Sequence, residues 1–330
     1  MKPVGAGKWA KGFCGLLVWV SVSVAAQTRP TCLSRDGKTR AELIGTGQAV
    51  VAAAVVDLFE KNDAHGSLAD QARFGETLKV LPQTASCVGA QSRFVWVETA
   101  ARYRGYANMS DLVPWPKDRP PYLAKPQQAR VRVVSRLAFV YRTPDAAQAL
   151  PSLALPVHTE AVLAEAVSPR WLKILLPDGP FGFVQQGDVE KQAVFSATAD
   201  CVLLAARKYE GTPYLWGGRS TLGIDCSGLV ANAFSACGVT APRDAGPQMD
   251  WVAVSPVFSK NELRAGDLLF FRGQDPTEAA SQVVKHVGLY TGRGRFFHAT
   301  TSETPTVHES SLAAPEWQRR YLGARRYRGF

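Results

Sequence analysis

The sequence predicts two small all-β barrels followed by a separate α+β domain. Two strand-like runs that each carry a tryptophan recur at 94–98 and 171–175, and after each run a Gly precedes an Asp by six residues. A proline-rich segment, 114–126, separates the two copies and is expected to be stiff and extended. Short β-rich runs punctuated by Gly, Pro and Asp favour barrels over helical bundles. After Glu190 the pattern changes to a helix followed by strands, which indicates an α+β domain.

The first 26 residues predict a secretory signal peptide. Three lysines precede a short apolar run, 13–24, and Val24-Ala25-Ala26 supplies small residues for cleavage. The run is shorter than the ~20 apolar residues of a membrane span, so no integral span is expected after cleavage. Cleavage removes three lysines, no acidic residue and Cys14, which lowers the formal net charge from +10 to +7. We therefore expect an exported protein of the periplasm, the cell envelope or the medium.

Composition sets further bounds on the class of protein. The hydrophobic fraction of 46% and the charged fraction of 20% argue against a disordered chain and against a polytopic membrane protein. The mature chain stays basic, but no nucleic-acid-binding module is recognisable. With 330 residues, several domains are expected, and their boundaries are placed at 27–124, 125–192 and 193–330.

The cysteine count indicates a reactive thiol. Five cysteines remain after cleavage, and an odd number in an exported protein indicates a reactive thiol or an intermolecular link. Cys226 is the candidate, because a helical pattern begins there and Asp225 is suited to be its N-cap. The dipole and free N–H groups of a first helical turn favour a thiolate.

His286 and His298 are the candidate partners of this cysteine. The runs 286–290 and 296–299 are expected to be two strands joined by a turn near Arg293, which gives the two histidines the same parity and the same face. As diagonal neighbours they come within reach of an imidazole–imidazole hydrogen bond. In the predicted triad Cys226 attacks, His286 takes and returns the proton, and His298 fixes the tautomer of His286.

Other interpretations of these residues stay open at this point. A cysteine in apolar surroundings is more often an inert core residue, and a histidine in a strand is more often structural. Cys226, His286 and His298 could instead bind zinc, but no Cys-x-x-Cys pair or carboxylate cluster supports such a site. His308 is interpreted as a surface polar residue.

Several motifs in one order resemble the NlpC-type peptidases, which are papain-like cysteine enzymes of bacterial peptidoglycan. The resemblance covers about 197–330, and its motifs are Gly211-Thr-Pro-Tyr-Leu-Trp-Gly-Gly218, Asp225-Cys-Ser-Gly-Leu-Val230, Pro242-Arg243, Leu263 to Phe271 and His286-Val-Gly-Leu-Tyr290. Upstream, the runs 55–58, 69–76 and 78–81 are similar to the first bacterial SH3-like domain of γ-D-glutamyl-L-diamino-acid endopeptidases. Those enzymes place two such barrels before the peptidase, so the resemblance implies the same layout here.

The resemblance also implies roles for residues around the thiol. Cys226 is then the nucleophile, His286 the base and His298 the orienting residue. The Tyr214 hydroxyl assists the oxyanion beside the Cys226 backbone N–H. No metal and no other cofactor is implied.

The implied substrate pocket favours a free N-terminal L-Ala. Asp225 and Ser227 hold the amino end of the substrate, and Trp216 shapes the pocket. A tyrosine of the first barrel closes it, and Tyr103 and Tyr106 are both candidates. Two features depart from the relatives: Ala245 replaces a polar contact, and 272–285 looks like a longer surface loop beside His286, with the composition of a lid.

The implied function is that of a cysteine endopeptidase on murein stem peptides. It cleaves the γ-D-Glu–diamino acid bond through a thioester acyl-enzyme, and a monomer is expected. A wall-binding protein with a vestigial peptidase domain and a papain-like amidase or acyltransferase are the alternatives. Two disulfides are hypothesised, Cys32–Cys87 and Cys201–Cys237, although connectivity cannot be deduced from a sequence. They leave Cys226 as the free thiol.

Overall fold

Three strand-rich units follow one another along the chain. The computed structural model describes residues 39–63, 66–82, 93–123, 129–179, 181–191, 197–275 and 281–330. The predicted signal peptide and the hypothesised Cys32–Cys87 disulfide lie outside these residues. Within the described ranges, no helix is long and apolar enough to span a membrane.

The first unit is a seven-stranded antiparallel sheet that follows a short helix. Its strand order is β3-β2-β6-β5-β4-β1-β7. Strands β2 and β4 alternate buried with exposed residues, as expected for strands with one face on a core. The elements are α1 Thr39–Thr46, β1 Gln48–Val51, β2 Val55–Phe59, β3 Leu68–Arg73, β4 Thr77–Val80, β5 Phe94–Glu98, β6 Arg104–Asn108, a 3₁₀ turn Met109–Asp111 and β7 Leu112–Pro114.

The second unit is a five-stranded sheet with an additional hairpin. The sheet order is β13-β12-β11-β8-β14, and β9 pairs with β10. A single bridge between Tyr141 and Phe183 connects the end of β9 to β13. The elements are β8 Arg130–Val133, β9 Leu137–Val140, β10 Leu153–Pro156, β11 Glu160–Ala166, β12 Trp171–Leu175, β13 Phe181–Gln185, a 3₁₀ turn Gln186–Asp188 and β14 Val189–Lys191.

The internal repeat occupies equivalent places in the two units. The pairs β5–β6 and β12–β13 are antiparallel, and each pair is followed by a 3₁₀ turn. A Cβ on Gly105 would meet Leu58, and one on Gly182 would meet Val140, so both glycines permit close approach of a neighbouring strand. The predicted strand-rich N-terminal region is confirmed. Over the described residues neither sheet closes into a barrel, so the SH3-like barrels stay a prediction.

The described part of the proline-rich segment, 114–123, packs against both N-terminal units. Trp115 and Tyr122 are both buried, and the Trp115 indole N–H donates to the Pro120 carbonyl at 3.0 Å. The Tyr122 ring meets Phe74 of the first unit edge to face, while its hydroxyl donates to the Leu175 carbonyl of the second. The two aromatic residues therefore join the first two units through one apolar core.

The third unit has helices packed on a six-stranded antiparallel sheet. The sheet order is β17-β22-β18-β19-β20-β21. Helix α3 is buried along nearly its whole length, and the Cys201–Cys237 disulfide joins α2 to the end of α3. The elements are α2 Ala199–Arg207, β15 Arg219–Ser220, β16 Gly223–Ile224, α3 Cys226–Ala236, α4 Ala245–Met249, β17 Val254–Val257, a 3₁₀ turn Lys260–Glu262, β18 Leu268–Phe271, β19 His286–Gly292, β20 Arg295–Ala299, β21 Val307–Ser311, α5 Pro315–Arg320 and β22 Tyr321–Tyr327.

Both N-terminal units pack against the third. In the first unit, the Gln71 side-chain oxygen accepts the Arg219 backbone N–H at 2.8 Å. The Gln71 backbone carbonyl accepts from the Arg219 guanidinium at 2.9 Å. From the second unit, Arg136 donates to the Glu210 carbonyl at 2.8 Å and accepts from the Thr221 hydroxyl at 3.0 Å. The predicted surface loop 272–285 is described only in part, because 276–280 lie outside the described residues.

Replacing Gly105 with Ala should destabilise the protein. The new Cβ would stand 2.7 Å from the Leu58 Cβ and 3.0 Å from the Leu58 carbonyl carbon, and backbone cannot move aside as a flexible side chain can. Overpacking of this kind typically destabilises by about 1–3 kcal/mol. Urea unfolding should report the loss. Gly187→Ala is the control, since nothing lies within 4 Å of its new Cβ; equal stability of both variants would contradict the close-approach explanation.

Candidate active site

Cys226 is the first residue of α3 and lies at its N-terminus. Asp225 is the N-cap, with extended backbone dihedral angles, and its carboxylate accepts the Gly228 N–H at 2.6 Å. The cysteine is 6% exposed, and within the described part of the chain it is the cysteine that forms no disulfide. The predicted helix start and N-cap are both present.

Burial, more than the helix N-terminus, sets the ionisation of the thiol. The backbone N–H groups of Val287 and Ser227 lie against the sulfur and favour the thiolate. Removal from water and the Asp225 carboxylate outweigh them and raise the pKa of Cys226 to about 12. The expectation of a thiolate promoted by the helix dipole therefore gives way to a protonated thiol at neutral pH.

His286 and His298 form the predicted pair across the β19–β20 hairpin. Leu289 lies opposite Phe297, which makes the two histidines diagonal neighbours, and the His286 Nε2 is 2.8 Å from the His298 Nδ1. The Val287 N–H that contacts the thiol belongs to the residue next to His286. Among the residues that the structure describes, no three His, Cys, Asp or Glu side chains are grouped so as to hold a metal ion.

Both imidazoles are kept neutral by their surroundings. Burial, together with the charge of Arg320, lowers the pKa of His286 to about 3. The pKa of His298 also lies well below its usual range because the ring is completely buried and faces other histidines. A neutral His286 can accept a proton, which is what a base for Cys226 requires.

A hydrogen-bond chain fixes which nitrogen of each ring carries the proton. The His298 Nε2 is 3.1 Å from the Ser310 hydroxyl, and that hydroxyl donates to Glu303 at 3.5 Å. With Ser310 donating to the carboxylate, His298 donates from Nε2 and accepts at Nδ1 from the His286 Nε2–H. The His286 Nδ1 is then the nitrogen that can take a proton. Ser310 carried no motif in the sequence, and only the strand pairing reveals it.

Trp317 forms one wall of the histidine pair. Its ring stacks on His286 with centroids 5.2 Å apart and meets His298 edge to face at 4.8 Å. It is completely buried, so it limits rotation of both imidazoles. His308, interpreted from the sequence as a surface residue, is partly buried instead, with its ring 5.2 Å from that of His298.

A buried arginine joins the helix start to the first unit. The Arg243 guanidinium donates to both carboxylate oxygens of Asp225, at 2.9 and 2.7 Å, and to Asp70 of β3 at 2.7 Å. It also donates to the Ser227 hydroxyl at 3.1 Å. All four side chains are less than 9% exposed. The N-cap of the nucleophile's helix is thus held by an ion pair that extends into another unit.

Asp225 has little remaining capacity to bind an amine. Its two oxygens accept from Arg243, from the Gly228 N–H, and from the Gly217 N–H at 2.9 Å. The Ser227 hydroxyl adds a contact at 3.3 Å. The geometry therefore shows Asp225 as a support for the surrounding loop, while its predicted contact with substrate stays a prediction.

The structure distinguishes the two tyrosines of the first unit. Tyr103, beside the turn between β5 and β6, donates its hydroxyl to Asp244 of the third unit. Tyr106 instead packs on Trp96 within its own sheet, with ring centroids 4.5 Å apart. Tyr103 is therefore the candidate that reaches the site. Asp244, which the sequence did not single out, is exposed at the start of α4.

Two other predicted residues lie on the loop before β15, and a third lies in helix α4. Tyr214 lies in the loop before β15, and burial and then the charge of Cys226 raise the pKa of its hydroxyl, which remains a donor. Trp216 on the same loop is 66% exposed, as a wall open to a ligand would be. Ala245 is buried in the first turn of α4 and offers no polar group to the site.

Comparisons with known proteins identify a family model and several relatives that match parts of this chain. Residues 211–326 match the NlpC/P60 family model. The chain is 34% identical over 160 residues to a γ-D-glutamyl-L-lysine dipeptidyl-peptidase of Bacillus cereus, which covers 47% of this chain and 45% of the relative. It is 26% identical over 259 residues to dipeptidyl-peptidase 6 of Lysinibacillus sphaericus, which covers 76% and 87%. The chain thus spans about half the length of the first of these relatives.

A solved structure shares the fold over most of the chain. The crystal structure of an NlpC/P60 family protein from Bacillus cereus superposes with a TM-score of 0.71 and 22% sequence identity. The match covers 85% of this chain and 99% of the other. The likeness therefore includes strand-rich N-terminal structure as well as the third unit.

Removing the guanidinium of Arg243 should destabilise the protein strongly. Arg243→Met leaves two buried carboxylates without their shared cation, and breaking a buried ion pair typically destabilises by about 3–5 kcal/mol. Arg102→Met is the matched control, because its ion pair with Glu98 involves a side chain that is 82% exposed and should contribute less than about 1 kcal/mol. Urea unfolding of both variants measures the difference. Similar losses in both would contradict the importance of the bridge.

Acid should destabilise the fold through the two buried histidines. Their folded-state pKa values lie below the value near 6.5 of an unfolded chain, so their stability contribution is complete above pH 6.5. It falls as the pH drops from 6.5 towards about 3, by up to about 1.4 kcal/mol per pH unit for each ring. His298→Gln should give a shallower decline in unfolding free energy between pH 6.5 and 5. An unchanged slope would show that His298 is not held neutral.

Proposed function

Since residues 211–326 form a papain-like domain of the NlpC/P60 family, we propose that this chain is a cysteine peptidase that cleaves peptidoglycan stem peptides. The observation that carries the proposal is the buried His286–His298 pair, which lies beside a buried thiol that accepts from the backbone N–H of Val287. The bond we assign is that between γ-D-Glu and the diamino acid, which agrees with the γ-D-glutamyl-L-lysine specificity in the name of the Bacillus cereus relative. The predicted signal peptide and this substrate would together place the protein in the cell envelope or outside the cell.

In the first step Cys226 forms a thioester. The sulfur attacks the γ-carbonyl carbon of D-Glu while the thiol proton moves to the Nδ1 of His286. Because both groups are neutral at rest, proton transfer accompanies attack instead of preceding it. The oxyanion accepts from the Cys226 backbone N–H and from the Tyr214 hydroxyl, and a donor of this kind is typically worth about 10²–10³ in rate.

In the second step the diamino acid leaves and water releases the product. The imidazolium of His286 gives its proton to the departing amine as the C–N bond breaks. Water then attacks the thioester and passes a proton to His286, and the thiol is restored. Through His298 and Ser310, the hydrogen-bond chain keeps His286 in the required orientation in both steps.

The charges at the Tyr103 side of the site favour a substrate with a free amine. Asp70 and Asp225 both pair with Arg243, and Asp70 also lies 3.8 Å from Arg219, whereas Asp244 has no cationic partner among the described residues. The Tyr103 hydroxyl contacts Asp244 and directs it. We assign the binding of the L-Ala ammonium group to Asp244. Ser227 assists it, and Asp225 holds the surrounding loop in place. The exposed Trp216 forms an open wall of the pocket.

The two N-terminal units would act as a frame for this pocket. Their repeat supports the interpretation as two SH3-like modules over about 27–124 and 125–192, ahead of a peptidase domain at 193–330. The first unit supplies Tyr103 and Asp70, which contact the third unit. The second unit also contacts the third directly, through Arg136. In this proposal the units set which peptides enter, and a monomer suffices for the site.

Cleavage of L-Ala-γ-D-Glu-diaminopimelate, followed by mass spectrometry, tests the activity. Wild-type protein should release L-Ala-D-Glu, and Cys226→Ala should bind but not cleave. Circular dichroism controls for folding. Failure of folded wild-type protein to cleave would refute the peptidase and favour a wall-binding protein, while release of another fragment would favour an amidase or acyltransferase.

The amine preference is tested by comparing the free and the N-acetylated peptide. Wild-type protein should cleave the free peptide with a kcat/KM at least about tenfold higher, because acetylation removes the charge that Asp244 binds. Asp244→Asn should reduce that ratio by lowering turnover of the free peptide. Asp250→Asn, in the C-cap of the same helix, is the control and should keep the ratio. Equal cleavage of both peptides by wild-type protein would refute the preference.

A further inference from the structure

A cavity lies beside helix α5 and the segment that follows β18. It has a volume of about 370 Å³. Its lining mixes two carboxylates, two guanidinium groups and two neutral polar groups. These residues are Gln274, Ser302, Glu303, Glu316, Arg319 and Arg320.

Arg320 links the lining of this cavity to the proposed base through Trp317. The Arg320 guanidinium lies over the Trp317 ring, 4.6 Å from its centroid, and the same ring stacks on His286. Burial and then the charge of Arg320 lower the pKa of His286, as expected for close neighbours. Gln274 follows β18, whose last residue, Phe271, pairs with His286. The cavity therefore lies on the His286 side of the thiol.

Some polar groups of the lining already form hydrogen bonds with one another, and others form none with the described residues. Glu316 accepts from the Ser302 hydroxyl at 2.8 Å and from the Arg320 Nη1 at 2.9 Å, and Arg320 Nε donates to the Arg272 carbonyl. The Arg320 Nη2 makes no hydrogen bond to the described residues. Arg319 is exposed and likewise has no hydrogen bond or ion pair to them. The unused donors at the cavity are thus guanidinium groups.

We propose that this cavity receives the side chain of the departing diamino acid and selects diaminopimelate over lysine. The inference rests on the proposed function, in which His286 protonates the departing amine, so the leaving residue must lie on the His286 side. Diaminopimelate is lysine with a carboxylate added on the ε-carbon. Both residues carry the distal ammonium, which Glu303 can accept, but only diaminopimelate offers a carboxylate to Arg319 and Arg320.

The test compares kcat/KM on L-Ala-γ-D-Glu-meso-diaminopimelate and on L-Ala-γ-D-Glu-L-lysine. Wild-type protein should prefer the diaminopimelate peptide by about tenfold or more, as expected for a charge-assisted contact. Arg319→Ala should lower this ratio at least about threefold by slowing only the diaminopimelate peptide. Arg320→Lys should lower the same ratio, in which any effect of Arg320 on His286 that is common to both peptides cancels. Turnover of the lysine peptide reports on folding and on the catalytic groups within the same variants.

Arg328→Ala, which alters another exposed arginine, is the control and should keep the wild-type ratio. Equal kcat/KM on the two peptides, or a wild-type ratio in both cavity variants, would overturn the assignment of the cavity while leaving the peptidase intact. Cleavage of neither peptide by wild-type protein would overturn the proposed function and the inference with it.

Discussion

The site depends on one buried guanidinium. Arg243 neutralises Asp225, which caps the helix that begins at Cys226, and it reaches Asp70 in the first unit with the same group. Because a buried charge without a partner is strongly unfavourable, loss of Arg243 would leave Asp225 without its cation and Asp70 with only the longer contact to Arg219. The loop that carries Trp216, the helix start and the first unit therefore form a single arrangement. Tyr103 can lie beside Asp244 only if that arrangement is in place.

Burial then determines how the chemistry has to proceed. Burial raises the pKa of the Cys226 thiol to about 12 and lowers the pKa of the His286 imidazole to about 3. Each group is therefore neutral before substrate binds. The charges appear together, when a substrate carbonyl is present to accept the sulfur. The neutral resting state also explains why the orienting chain through His298 and Ser310 matters: it keeps the acceptor nitrogen of His286 available.

Sequence reasoning predicted what is local and missed what crosses units. The N-cap at Asp225 follows from its position before a helical pattern, and the parity of His286 and His298 follows from a turn centred near Arg293. The choice of Tyr103 over Tyr106 depends on how one unit sits on another, which no local pattern records. Ionisation of Cys226 was misjudged for a related reason. Helix position is visible in sequence, whereas removal from water is a property of the assembled fold.

The central claim is that Cys226 itself carries the acyl group. The most direct measurement is acid quenching during turnover of the stem peptide, followed by mass spectrometry of the intact protein and of its proteolytic fragments. We expect an adduct of one L-Ala-γ-D-Glu acyl group on the fragment that contains Cys226, and we expect it to accumulate and then decay as product forms. Turnover without any adduct on that fragment, or an adduct on a different residue, would contradict it.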